Sequence, residues 1–100
     1  MYEGCPVELQ MEKNIAADGI FDEAIYHCSI VRYDGDEILT LQLQGDELAM
    51  ISLDAKYRCT IKDKKKLLLC TGVICERYQS QGDNLILFRI ENGFYDQSSD

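Results

Sequence analysis

No stretch of this 100-residue chain approaches the roughly 20 consecutive apolar residues that a membrane helix needs. The opening MYEGCPVELQ has no basic region running into an apolar one, which predicts no secretory signal and a cytoplasmic protein. Basic residues are few: 10 against 18 acidic, for a formal net charge of −8. That excess repels phosphate backbones and anionic lipid, so neither nucleic acid nor a membrane is expected as a partner. Histidine occurs once, at position 27. No glycine-rich phosphate loop of the Walker type, internal repeat, low-complexity tract or linker is present.

What remains is the composition of a soluble globular domain, 46% hydrophobic and 28% charged, long enough for one core only. We read residues 1–100 as one domain with a frayed polar tail at 96–100. Five cysteines cannot all pair with one another. In a reducing compartment they are free thiols, which behave as small buried hydrophobes.

The chain reads as strands parted by polar turns. CPVELQM alternates, with Val7, Leu9 and Met11 on one side and Glu8, Gln10 and Glu12 on the other. KNIAADGIFD holds the Asp18-Gly19 turn signal and reads as a loop or one helical turn. EAIYHCSIVRY and EILTLQLQ flank DGDE, the strongest hairpin signal in the chain, with Leu39, Leu41 and Leu43 on one face. GDELAMISLDA predicts a crossing connection with a short strand. KYRCTIK alternates again, DKKK is a charged turn, LLLCTGVICERYQS is a long strand, and QGD turns it into NLILFRIENG. About six short strands at hairpin spacing predict an all-β fold, a small six-stranded antiparallel split barrel.

Several residues invite chemistry. Cys70 and Cys75 lie five apart, so a regular strand sends them to opposite faces unless Gly72 marks a bulge. The spacing lacks the two-residue gap of common zinc pairs, and no third cysteine follows as an iron–sulfur run requires. Apolar neighbours on both sides suggest that this strand is buried on both faces, with both thiols packed in the core. His27 and Cys28 are neighbours, so their side chains point apart and cannot form a nucleophile pair. Cys28 falls in phase with Tyr26 and Ile30, and His27 with Ser29. Asp34, Asp36 and Glu37 crowd one turn without the spacing of a calcium loop. Lys62, Lys64, Lys65 and Lys66 form a basic patch that could hold an anion. Tyr26, Tyr33, Tyr57, Tyr78, Phe88, Phe94 and Tyr95 read as barrel core and rim, since a base-stacking platform would want basic companions.

With strands assigned, EAIYHCSIVRYDGDEILTLQL, MISLDAKYRCTI, LLLCTGVICERY and NLILFRIENGF together resemble the N-terminal domain of YcgR-type flagellar-brake proteins, over roughly residues 5–92. In that family a split barrel precedes a PilZ domain. The resemblance implies a non-enzymatic accessory module of bacterial cyclic di-GMP signalling. PilZ domains grip the dinucleotide through Arg-x-x-x-Arg and a later Asp/Asn-x-Ser-x-x-Gly. Here Arg32, Arg58, Arg77 and Arg89 include no pair four apart, and the second motif is missing. The bidentate grip on phosphate is therefore not expected, nor is cyclic di-GMP binding. The expectation is an interaction module with no cofactor or metal, a protein partner and possible homodimerisation through a barrel edge. The alternatives are a split-barrel flavin protein and a thiol sensor using Cys70 or Cys75.

Overall fold

A computed structural model describes residues 2–15, 19–35 and 37–96. Six strands follow in order: β1 (Pro6–Asn14), β2 (Ile25–Tyr33), β3 (Ile38–Leu43), β4 (Ala55–Asp63), β5 (Lys66–Ser80) and β6 (Asp83–Asp96). One 3-10 turn, Leu48–Met50, interrupts the β3–β4 connection. The strands close into an antiparallel barrel in the order β1-β2-β3-β6-β5-β4, and β1 seals it against β4 with Val7 opposite Ile61.

The alternation in the sequence becomes the barrel wall. Val7, Leu9 and Met11 point inward, as do Tyr26, Cys28 and Ile30, then Leu39, Leu41 and Leu43, and Tyr57, Cys59 and Ile61. Ala55, Leu68, Cys70, Ile74, Ile86, Phe88 and Ile90 complete the core of the wall. Each fully buried large side chain contributes about 1.5–3 kcal/mol by leaving water. At one end, Ile51 from the β3–β4 connection joins this core. At the other, the rings of Tyr2, Tyr33 and Phe94 form a cluster with centroids 5.4–6.2 Å apart.

The turns follow their local chemistry. β2 and β3 pair as the DGDE signal predicts, with Gly35 and Glu37 at positive φ; Asp36 lies outside the described residues. Gln81 and Gly82 both take positive φ, which suits the right-handed twist of the β5–β6 hairpin. The Asp18-Gly19 signal falls partly outside the described residues, and residues 19–24 form neither helix nor strand.

Two expectations need correction. The β3–β4 connection crosses the barrel end without a strand. Its apolar cluster splits instead: Ile51 is buried, whereas Met50 and Leu53 are exposed. β5 is not buried on both faces. Leu68, Cys70, Gly72 and Ile74 face inward, while Leu67, Leu69 and Val73 form an outer apolar row that is wholly or partly open. The reason is the closed barrel itself, a single curved sheet with one dry face.

The β5–β6 ladder is irregular. On β6, extra residues between Tyr95 and Asn92 and between Asn92 and Ile90 leave the parity of β5 intact around Gly72. On β5 the extra residue is Cys75, between Ile74 opposite Phe88 and Glu76 opposite Leu87. Parity flips there, so Arg77 stands opposite the buried Ile86. Tyr95 and Asp96 pair with Leu69 and Leu68, while residues 97–100 of the expected tail lie outside the described residues.

Candidate functional site

The thiols divide into three environments. Cys59 and Cys70 face each other across the β4–β5 pair, fully buried and within hydrogen-bonding reach. That hydrogen bond, then burial, pushes the Cys59 thiol well up. Gly93 presses on the same spot: a Cβ there would lie 2.4 Å from the Cys70 Cβ. Cys28 is buried separately, and burial pushes its thiol up to about 12. Cys5 is half-buried near Asp63, its thiol raised first by burial and then by that carboxylate. Cys75 is exposed at the β5 bulge, which corrects its assignment to the core. Cys70 and Cys75 do point to opposite faces, as the odd spacing requires.

The cross-strand partner of Cys70 was within reach of sequence reasoning. A two-residue turn at Lys64-Lys65 fixes the register, and that register brings Cys59 opposite Cys70. Among the described residues, no group of three or more His, Cys, Asp or Glu side chains is placed to hold a metal ion. His27 faces outward from β2, away from Cys28.

The lysine patch lies along and beyond the end of β4. Lys62 points out from β4 and pairs with Glu8 of β1 at 3.1 Å. Lys64, Lys65 and Lys66 sit at the hairpin tip, beside Asp63 around a hollow of about 510 Å³. The structure therefore joins Lys64, Lys65 and Lys66 and turns Lys62 toward a carboxylate of its own chain.

The outer face next to this tip has a regular pattern. Residues directly opposite in an antiparallel pair share a face. Lys62 stands opposite Leu67, Thr60 opposite Leu69, Arg58 opposite Thr71 and Lys56 opposite Val73. A polar, mostly cationic row on β4 thus runs beside an apolar row on β5. β6 adds Tyr95 opposite Leu69 and Arg89 opposite Val73. Leu67 is 39% exposed and Tyr95 54%. Lys56 also reaches Glu91 on β6 at 2.9 Å.

The opposite barrel end carries a feature that the sequence did not reveal. After the bulge, the Arg77 guanidinium turns toward the β3–β4 connection and donates to the carbonyls of Ala49 (2.9 Å) and Ile51. The Asn84 amide donates to the Gly45 carbonyl at 2.8 Å. The Tyr57 hydroxyl accepts from the Ser52 N–H at 2.9 Å. Together these bonds hold a connection that has almost no secondary structure. A cleft of about 460 Å³ beside them is lined by residues including Asp46, Leu48, Arg77 and Tyr78.

Among the described residues, no helix is long and apolar enough to cross a membrane. Compared with known protein families, with curated proteins and with solved structures, the chain matches none.

Proposed function

We propose that this chain is a non-catalytic interaction module that docks a protein partner through the outer face of β4, β5 and β6. The observation that supports the reading is the apolar row of Leu67, Leu69 and Val73 on the solvent side of a sheet whose other side is the core. Apolar side chains gain nothing for the barrel by standing in water, and covering them on association releases that cost. The resemblance to the accessory barrels of cyclic di-GMP effectors points the same way.

The arginines are consistent with a module lacking the dinucleotide grip. Arg32, Arg58, Arg77 and Arg89 stand on four different strands, with Arg58 bonded to Gln10 and Arg77 to backbone carbonyls. Calorimetric titration with cyclic di-GMP is expected to give no heat.

The decisive test compares capture of partners by wild type and by the double variant Leu67→Asp/Tyr95→Ser. Both positions are exposed, so the variant is expected to keep its melting temperature. A partner held by wild type and lost by the variant is the expected result. Equal capture by the two proteins would remove this face from the reading.

A further inference from the structure

We infer that the partner of this face is an acidic protein segment whose carboxylates flank apolar side chains, an inference that rests on the interaction reading above. Its basis is an uneven distribution of charge. Residues 55–75 hold six of the ten basic residues and a single carboxylate, Asp63, for a local charge of +5 in a chain of −8. The rest of the chain carries −13. The positive charge is also ordered in space. Lys56, Arg58 and Lys62 run down the outside of β4 beside Val73, Thr71 and Leu67, and the row ends at Lys64, Lys65 and Lys66.

The barrel already displays the matching chemistry. Lys56 holds Glu91 of β6 across β5, within this face, and Lys62 holds Glu8 of the adjoining β1, so lysines of the β4 row already take carboxylates. At the tip, Lys64, Lys65 and Lys66 form no ion pair among the described residues. Lys66 directly precedes Leu67, and Tyr95 pairs with Leu69 farther along β5. A partner with carboxylates around an apolar centre would meet cations at the tip and along β4, and apolar surface at Leu67, Leu69 and Tyr95. Such complementarity steers encounter and fixes orientation, while the apolar contact slows release.

Extended polyanions fit less well. A nucleic acid or an anionic membrane running past the hairpin would meet Asp63 and then the −13 of the rest of the chain, which includes Glu8 and Glu91. A second copy brings its own net charge of −8, so two copies repel one another overall as they approach.

The test is fluorescence anisotropy with a fluorescein-labelled peptide of alternating Glu and Leu. Its Lys–Leu counterpart, a labelled single-stranded oligonucleotide and phosphatidylserine vesicles serve as competing probes. The acidic peptide is expected to bind wild type, more weakly as salt rises from about 50 to about 500 mM. The triple variant Lys64→Glu/Lys65→Glu/Lys66→Glu should weaken it at least about tenfold, and Leu67→Asp should weaken it as well. No binding, equal binding of the Lys–Leu peptide, or tighter binding of the oligonucleotide or vesicles would overturn the inference. Self-association at low salt that the triple variant abolishes would overturn it in favour of a second copy. A captured partner that is lost with Leu67→Asp/Tyr95→Ser but kept by the triple variant would sink the acidic chemistry alone. Capture insensitive to both variants would remove this face from the interaction reading, and this inference with it.

Discussion

Cys59 and Cys70 stand opposite each other inside the barrel, fully buried on neighbouring strands, while Cys75, five residues along β5, is open to solvent. Reactivity should follow that division, because a thiol must be both reached and ionised to react. Titration of the native protein with a chromogenic disulfide is expected to show one fast thiol, Cys75. Cys28, Cys59 and Cys70 should react only on unfolding. Cys5, half-buried, should react more slowly than Cys75, and Cys75→Ser should abolish the fast phase; a fast phase surviving in Cys5→Ser/Cys75→Ser would show that the core thiols are reached in the native state. The latter result would revive a thiol-sensor role for Cys70.

Alkaline pH should weaken the fold. The Cys28 thiol ionises around 9.0 when exposed and around 12 in the folded barrel. Below pH 9 both states hold the proton, and the full stability is present. Between the two values the unfolded chain binds fewer protons. Stability then falls with rising pH, by up to about 1.4 kcal/mol per unit for this one group. Cys59, Tyr26 and Tyr57 are shifted in the same direction and steepen the fall. Urea unfolding between about pH 7 and about pH 11 measures the slope, and Cys28→Ala should make it shallower. An unchanged slope in that variant would assign the effect elsewhere.

Arg77 should act as an anchor for the β3–β4 connection. Arg77→Met keeps most of the stem and removes the donors to Ala49 and Ile51. Because the side chain is largely exposed, the expected loss is about 1–2 kcal/mol in urea unfolding, at the low end for charged hydrogen bonds. Proteolysis within residues 44–54 should accelerate. All of these hydrogen bonds come from one guanidinium nitrogen, Nη1, so Arg77→Lys, whose ammonium also carries several donors, should recover part of the loss. Unaltered proteolysis in Arg77→Met would show that the connection is held by its other contacts.

At Gly72 the backbone of β6 leaves no room for a side chain. A Cβ there would lie 1.9 Å from the Arg89 carbonyl oxygen, a backbone atom with little room to yield. Gly72→Ala is expected to destabilise by about 1–3 kcal/mol, measured by thermal unfolding. The neighbouring, outward-facing Thr71→Ala should change stability by less than about 0.5 kcal/mol. Equal effects at the two positions would contradict this account of the contact.

The all-β barrel was legible because alternation is written into nearly every strand: Val7-Leu9-Met11, Leu39-Leu41-Leu43 and Tyr57-Cys59-Ile61 all became core rows. β5 misled because its outer row is also apolar, and periodicity cannot tell a second dry face from an exposed one. The turn of Arg77 toward the β3–β4 connection depends on a bulge at Cys75, a position with no glycine or proline to announce it. The single 3-10 turn at Leu48–Met50 is too short to leave a periodic signal. The lysines at the hairpin tip were evident as a run. Their alignment with the outer row of β4 and the apolar row of β5 required the cross-strand register.

Closure of β1 against β4 also has a temporal consequence. Val7 meets Ile61, and Leu43 meets Asn84, so both seams join distant parts of the chain. Only the local hairpins can form early as the polypeptide emerges from the ribosome. β3 must wait for β6, and until it arrives the apolar rows of β1, β2 and β3 are open to mispairing. Folding limited by such distant pairings belongs on the millisecond-to-second scale. The nascent barrel therefore passes through a vulnerable interval that ends only when its last strand has been made.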